Sequence, residues 1–191
     1  NHPGYHTSDR YLPIYASGRP DSITEEKLKV IKNHDITRIS INPQSMQQKT
    51  LDVIGRKHTV EEIKETYALA RKTGFDNINM DIIAGLPGED ISDMEDTLAQ
   101  IAQMHPDSLT VHSLAIKRAA RMEMEDLNRD AKETHEILSG MIERAAKAAK
   151  EMDLFPYYLY RQKNMKGNFE NVGYSEVDKA GIYNCLLYTS D

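Results

Sequence analysis

A carboxylate interrupts an otherwise apolar segment where Asp81 lies between Met80 and Ile82. The segment ends in a Gly-Leu-Pro-Gly turn at residues 85–88. In α/β folds the carboxyl ends of the strands carry the ligand, and a carboxylate placed there can accept both hydroxyl hydrogens of a ribose diol. Asp81 is therefore a candidate for ligand binding. The alternative is that its side chain only caps the neighbouring turn.

Polar side chains recur at every second position in three segments that we predict to be strands. Because side chains alternate across a strand, each segment has one polar face and one apolar face. The polar faces comprise Ser40, Asn42 and Gln44, then Asn77, Asn79 and Asp81, then Ser108, Thr110 and His112. Buried polar groups without partners cost ~1–3 kcal/mol each, so we expect these faces to enclose a ligand or water. Asn42, Asn79 and His112 are the candidates for lining that space.

The segments that must position these side chains alternate between strand and helix patterns. Strands are predicted at 11–16, 36–42, 77–85 and 108–116, and helices at 25–33, 60–73 and 93–104. A repeat of strand and helix is typical of βαβ units and a parallel sheet. An ordinary closed barrel fills its interior with apolar side chains, so the polar faces favour a wide or incomplete barrel. An antiparallel sheet with one solvated face is the alternative, which the intervening helices disfavour.

Local signals mark the helix ends. Thr59 with Glu62 and Ser92 with Glu95 have the spacing of capping boxes, which predicts that a helix begins at each pair. The other end signals are Thr24 as an N-cap, Gly74 as a C-terminal glycine and His105-Pro106 as a stop. After residue 116 the pattern changes. We expect a loop or irregular helix over 117–130, a helix over 131–152, a strand over 155–160 and a loop over 161–184.

Composition narrows the function classes. The chain has 191 residues and a net charge of −6, which argues against a nucleic-acid partner because such proteins usually present a basic face. No apolar run approaches the ~18 residues of a membrane span, and residues 1–20 lack the apolar core of a signal peptide, so we expect a cytoplasmic protein. Cys185 is the single cysteine. It excludes an internal disulfide and a multi-cysteine metal site within this chain, and we interpret it as an incidental thiol.

A set of motifs in a fixed order resembles one enzyme family. The motifs are INPQSM (41–46), LDVIGRKHT (51–59), INMDIIAGLPGED (78–90), LTVHSLAIKRAARM (109–122) and YYLYRQKNMKGNFENVGYS (157–175). Together they are similar to oxygen-independent coproporphyrinogen III oxidase, the coproporphyrinogen dehydrogenase branch of the radical S-adenosylmethionine (radical SAM) enzymes. The resemblance implies a partial (β/α) barrel that holds SAM and a [4Fe-4S] cluster. It also implies a 5′-deoxyadenosyl radical that initiates decarboxylation of porphyrinogen propionates to vinyl groups.

The resemblance assigns four cofactor-binding residues. Gln44 matches a strand-end glutamine at the SAM ribose, and Asp81 matches an aspartate on the ribose hydroxyls. Arg56 matches an arginine near the methionine carboxylate, for which its planar fork is suited. Ile83 matches an apolar contact to the adenine region. Two alternatives stay open. Gln44 could instead cap the turn that follows it, and Arg56 could instead pair with Glu61 or Glu62 on its own helix.

The chain also departs from the family pattern. The CxxxCxxC cluster loop and the glycine-rich SAM-binding segment are absent, and Ala16 stands where the family has a glutamate. We therefore interpret the chain as the C-terminal part of such an enzyme, inactive by itself because one cysteine cannot supply three thiolates to a cluster. The expected units are an unplaced segment at 1–16, the C-terminal part of the partial barrel at 17–122, a helix and strand/loop extension at 123–184, and a non-native tail at 185–191.

Three functions compete. The first is a fragment of the oxidase, with a small-molecule tetrapyrrole as substrate and an electron donor that the sequence does not identify. The second is a fragment of a haem chaperone, because close relatives of the family have that role. The third is a (β/α) barrel enzyme of unrelated chemistry that binds a phosphorylated metabolite. Pro87 disfavours the third, since it removes a backbone donor from the Gly-Leu-Pro-Gly turn.

Overall fold

The computed structural model describes residues 14–34, 36–114, 131–160 and 171–180. The first half alternates strands and helices in the order β1 (Ile14–Gly18), α1 (Glu25–Asn33), β2 (Ile36–Gln44), α2 (Gln48–Val53), α3 (Val60–Lys72), β3 (Ile78–Ala84), α4 (Ile91–Met104) and β4 (Ser108–Ser113). A long helix and two strands follow as α5 (Ala131–Glu151), β5 (Phe155–Tyr160) and β6 (Asn171–Ser175). None of the helices in these ranges is long and apolar enough to cross a membrane.

The strands form one open, mixed sheet with the order β1-β2-β3-β4-β6-β5. Strands β1 to β4 are parallel, which confirms the predicted α/β partial barrel and makes the antiparallel alternative wrong for this part of the chain. Strand β6 lies antiparallel between β4 and β5. The prediction of a loop over 161–184 is therefore wrong at residues 171–175. Their Gly and Asn content disguises a strand whose pairing on both edges outweighs intrinsic propensity.

Of the two predicted capping boxes, the structure confirms one and replaces the other with a cap nearer the amino terminus. The box of Thr59 and Glu62 begins α3 as predicted. Helix α4 instead begins after Asp90, whose Oδ1 accepts from the backbone N–H groups of Ser92 at 2.8 Å and Asp93 at 3.1 Å. Ser92 does not cap the helix, because its hydroxyl donates to Asp90 at 2.6 Å. The prediction of Ser92 with Glu95 was wrong since the aspartate two residues earlier is an equally strong cap.

The predicted helix ends are confirmed. Gly74 has a φ of 95°, and its N–H donates to the Arg71 carbonyl while the Phe75 N–H donates to the Ala70 carbonyl. These two bonds satisfy carbonyls that the last turn of α3 would leave unpaired. His105 ends α4 with a left-handed φ of 52°.

Within the described ranges, the helices cover one face of the sheet. The apolar face of β2, β3 and β4 is buried beneath apolar side chains of the helices, and this core includes Ile39, Ile41, Met80, Ile82, Leu109, Val111, Leu28, Ile63, Leu98 and Met141. Burial of that face is the main source of stability expected for such a layer. The opposite face, with the polar side chains, is thereby left for a site. The predicted segments at 1–13, 117–130, 161–170 and 181–191 lie outside the described residues.

Candidate functional site

Asn79 is the centre of a hydrogen-bond network on the polar face of the sheet. Its side chain is almost fully buried, and its Nδ2 donates to Asp81 Oδ1 at 2.6 Å and to Ser40 Oγ at 2.8 Å. Its Oδ1 accepts from Thr110 Oγ1 at 3.1 Å. The Ser40 hydroxyl donates to Asn42 Oδ1 at 2.8 Å. One network therefore joins side chains of β2, β3 and β4.

From the sequence we expect a ligand or water to provide hydrogen-bond partners for the polar face, but this network provides most of those partners from within the sheet. Ser40, Asn79 and Thr110 are buried, and each has a partner within the network. A buried polar group that is hydrogen-bonded avoids most of its desolvation cost. Except at the buried Ser108 hydroxyl, which has no hydrogen-bond partner among the described residues, the lower part of the face is thus satisfied without a ligand, and its carboxyl-terminal edge remains for binding.

Asp81 lies at that edge and is half-buried. Its Oδ1 has the short contact to Asn79, and its Oδ2 lies 3.4 Å from Ser40 Oγ. A carboxylate offers about four lone-pair positions, so these contacts fix the carboxylate and leave acceptor capacity for a ligand. Next along the same face, Ile83 pairs in register with His112, and both side chains are half-buried.

Gln44 ends β2 in an unusual backbone conformation. Its φ is 71°, a left-handed value that costs a residue with a side chain of order 1–3 kcal/mol and is concentrated at functional sites. Its amide Nε2 donates back to the Asn42 carbonyl at 3.4 Å. The turn that follows is capped instead by Ser45, whose hydroxyl accepts from the Gln47 N–H at 3.1 Å. The alternative in which Gln44 caps the turn is therefore wrong.

Arg56 lies between α2 and α3 and is half-buried. Within the described ranges no ion pair joins it to Glu61 or Glu62, and Glu62 is used by the capping box with Thr59. This does not support the alternative in which Arg56 serves only its own helix. The structure does not bring Arg56 into the network of Asn79.

His58 follows two residues after Arg56 and is completely enclosed. Its Nδ1 lies 3.8 Å from Asp21 Oδ1, in the turn after β1, and in the part of the chain that is described neither ring nitrogen has a hydrogen-bond partner. Burial lowers the pKa of His58, while the Pro43 carbonyl and Asp21 oppose that shift. The neutral form of this enclosed imidazole is therefore favoured.

Glu89 fixes the Gly-Leu-Pro-Gly turn to the neighbouring strand. Its Oε1 accepts from Ser45 Oγ at 2.5 Å, and burial raises the pKa of its carboxyl. Since Ser45 follows Gln44 directly, this contact couples the ends of β2 and β3.

The amino-terminal end of the polar face is closed by Arg38. This buried guanidinium donates to the Lys179 carbonyl at 2.6 Å, to Asn77 Oδ1 at 3.3 Å and to the Tyr157 hydroxyl at 3.4 Å. Tyr157 belongs to β5 and Lys179 follows β6, at the far side of the sheet from β2. Only a strongly curved sheet brings these elements together, so the polar face is concave.

Several of these residues were missed by sequence reasoning. Arg38 lies two residues before Ser40, so the same alternation could have found it. Glu89 and His58 gave no signal, because burial of a single charged or titratable residue depends on tertiary packing. The described residues include no group of three His, Cys, Asp or Glu side chains that could hold a metal. With one cysteine in the sequence, this chain does not fit the [4Fe-4S] cluster that the resemblance implies.

Known proteins resemble this chain in sequence. A sequence profile of the Radical SAM superfamily matches residues 6–101. The oxygen-independent coproporphyrinogen-III oxidase-like protein HemZ of Bacillus subtilis is 50% identical over 171 residues, which are 90% of this chain and 34% of HemZ. The heme chaperone HemW of the same organism is 31% identical over 98 residues, 51% of this chain and 26% of HemW. The chain thus spans about a third of the length of HemZ.

A solved structure shares the fold. Coproporphyrinogen III oxidase (HemN) from Escherichia coli superposes with a TM-score of 0.65 and 17% sequence identity. The superposition covers 86% of this chain and 35% of HemN. It supports the partial barrel described above, independently of the sequence match.

Proposed function

Because the chain belongs to the radical SAM superfamily, we propose that it forms the SAM-binding part of an enzyme that oxidatively decarboxylates coproporphyrinogen III. The observation that carries this proposal is the fixed carboxylate of Asp81 at the carboxyl end of β3, on the concave polar face. The 50% identity to the oxidase-like protein HemZ supports this reaction over others of the superfamily. A tetrapyrrole substrate, a cytoplasmic location and the absence of nucleic-acid and membrane partners belong to the same proposal.

Each candidate residue has a role in binding SAM. The Asp81 carboxylate accepts from the ribose hydroxyls, and the Asn79 amide holds it in one rotamer. Gln44, on the adjacent strand, donates to the ribose from its strained backbone position. Ile83 gives an apolar contact to the adenine, and Arg56 binds the methionine carboxylate with a planar fork that a lysine cannot reproduce.

When bound, SAM would supply the group that abstracts a hydrogen atom from a propionate side chain. That side chain would then lose its carboxyl as carbon dioxide and one electron to an acceptor, which leaves a vinyl group. The chain's own residues bind and orient SAM on the concave face. Asn42 and His112 line the remaining space next to the ribose site. Because this chain does not fit the iron-sulfur cluster, we propose that the 191 residues bind SAM without turning over the porphyrinogen.

A haem chaperone is the second candidate function. It is favoured by the 31% identity to HemW over residues that make up 51% of this chain. In that function the same fold would bind haem without converting a porphyrinogen. The two functions differ in turnover, so they can be separated by one set of assays.

The test uses the complete protein encoded by the gene, purified and reconstituted with iron and sulfide without oxygen. With a chemical reductant, SAM and coproporphyrinogen III, we expect vinyl-bearing products and 5′-deoxyadenosine in the ratio of one per decarboxylation. Saturable haem binding without either product would contradict the oxidase and favour the chaperone. The 191-residue chain in the same assay is the control, for which we expect SAM binding and no product.

A further inference from the structure

Strand β5 continues the polar face of the sheet with aromatic side chains. Asp81 pairs in register with Thr110, Thr110 with Gly173, and Gly173 with Tyr158. Residues paired directly across neighbouring strands lie on the same face, so Tyr158 shares the face of Asp81. Tyr160, two positions further along β5, shares it as well. The concave face is therefore polar on β2 to β4 and aromatic on β5.

A β-bulge and a glycine build this aromatic wall. The register shifts between Pro156 and Tyr158, so Tyr157 is an extra residue opposite Gly173. A Cβ at position 173 would lie 3.1 Å from the Tyr157 ring and 3.2 Å from Tyr158 Cβ. Such bulges re-aim side chains beside sites, and strand glycines permit close approach. Gly173 is what allows two adjacent tyrosines to occupy one face.

The tyrosines have different surroundings. The Tyr157 hydroxyl contacts Arg38 and closes the amino-terminal end of the face. Tyr158 and Tyr160 have nearly parallel rings, inclined by 3° with centroids 6.5 Å apart. Tyr160 is 47% exposed. Burial raises the pKa of Tyr158, and the neighbouring tyrosines act in the same direction. Its phenol is thus protonated at neutral pH and can donate to a carboxylate.

Tyr158 and Tyr160 are separate from the side chains assigned to the nucleoside. Three strand spacings separate β3 from β5, roughly 14 Å measured along the curved sheet. The aromatic strand therefore offers the concave face a second contact surface. Flat unsaturated rings stack on aromatic side chains, and phenol hydroxyls suit carboxylate side chains. A wall with both properties fits a large ligand that carries several planar pyrrole rings and carboxylate side chains.

We infer that Tyr158 and Tyr160 form a tetrapyrrole-binding wall, which stacks against pyrrole rings and donates to propionate carboxylates. The inference rests on the proposed function, because that function places SAM on the polar side of the same concave face. The wall is a binding surface and takes no part in bond cleavage. Coverage of the wall by residues 161–170 of this chain is the competing outcome of the test.

The test titrates the 191-residue chain with coproporphyrin III, the oxidised and stable form of the porphyrinogen, followed by its absorption. For Tyr160→Ala we expect about tenfold weaker binding, the scale of a lost aromatic pair, and for Tyr160→Phe a smaller loss because stacking remains. The matched control is Leu159→Ala, since Leu159 is 46% exposed on the opposite face of the same strand. Its affinity should equal that of the unaltered chain. Equal losses for both alanine variants, or no saturable binding at all, would overturn the inference.

Further measurements separate this wall from the SAM site and identify the tetrapyrrole. Asp81→Asn should weaken SAM binding and leave coproporphyrin binding intact, whereas Tyr160→Ala should do the reverse. If neither variant loses affinity for SAM, the proposed function is contradicted. The inference about the aromatic wall is unaffected by that result. The same titration with haem in place of coproporphyrin III compares the affinities of the two tetrapyrroles.

Chemical modification tests the wall directly. In the unaltered chain, coproporphyrin III should slow the nitration of Tyr158 and Tyr160 by tetranitromethane, and an unchanged nitration rate would overturn the inference.

Discussion

Two aspartates at opposite ends of the sheet show how differently the two ends are built. Asp107, before β4, is 3% exposed and binds Arg71 at 2.7 Å, Lys179 at 2.5 Å and the Ile78 N–H at 2.7 Å. Asp81, near the end of β3, is half-buried, and its two hydrogen-bond contacts among the described residues are both to neutral side chains. One carboxylate is saturated with charged partners, and the other retains acceptor capacity.

From this difference we expect the amino end of the sheet to contribute stability and the carboxyl end to contribute binding. Arg71 also donates to the Tyr67 hydroxyl and the His105 carbonyl, so Asp107 links α3, β3 and the segment after β6. Barrel folds commonly separate these tasks, with ligand sites at the carboxyl ends of the strands and stabilising contacts at the amino ends. Substitutions at the amino end should therefore change mainly the free energy of unfolding, and substitutions at the carboxyl end mainly the affinity for SAM.

The largest expected effect is the loss of stability in Asp107→Ala. Removing this carboxylate leaves Arg71, Lys179 and the Ile78 N–H without their partner, and breaking a buried ion pair costs ~3–5 kcal/mol. We expect the low end of that range in urea unfolding, because Arg71 and Lys179 are 30% and 34% exposed. The matched control is Glu151→Ala, which breaks an exposed pair with Lys147 and should leave stability unchanged. A similar small change in both variants would remove the distinction between the ends.

The next effect is on affinity. Arg56→Lys should weaken SAM binding about tenfold, because a point charge replaces a bidentate fork, and should leave the free energy of unfolding unchanged. Equilibrium dialysis with labelled SAM measures the first quantity and urea unfolding the second. Lys57→Arg, at the adjacent exposed position, is the control. Undiminished affinity of the Arg56 variant would show that this arginine lies outside the SAM site.

The smallest effect is a pH dependence that arises at the carboxyl end. Burial raises the pKa of Glu89 above its ordinary value of 4.5, so the folded protein holds this proton more tightly than the unfolded chain. Stability is therefore lost as pH rises from about 4.5 through the folded pKa. Glu89→Gln keeps the acceptor for Ser45 and removes the titration. The free energy of unfolding of Glu89→Gln, relative to that of the unaltered chain, should increase from about pH 4 to about pH 7. Urea unfolding at each pH measures this difference. A constant difference across that range would assign the pH dependence elsewhere.

The sequence predicted the parts of this molecule that depend on repetition. Alternation placed Asn42, Asn79 and Asp81 on one face, and strand-helix alternation predicted the parallel sheet. It failed at β6, where Gly173 and Asn171 resemble a loop. The strand predicted over 155–160 is confirmed as β5, but its bulge at Tyr157, which disrupts the period of two, was missed. Those features depend on pairing between distant segments, which a local pattern does not record. The pocket of His58 and the contact of Glu89 with Ser45 were missed for the same reason.

The central claim is that Asp81 binds the ribose of SAM, and calorimetric titration of the 191-residue chain tests it most directly. Asp81→Asn should lower the affinity for SAM by about tenfold to a hundredfold, the scale of ~1–3 kcal/mol for a lost charged hydrogen-bonding group. A SAM analogue without the ribose 2′-hydroxyl should bind the unaltered chain more weakly than SAM does, and Asp81→Asn should lose most of that preference. Equal affinities of the two chains for SAM, or the same preference for the hydroxyl in both, would contradict the assignment.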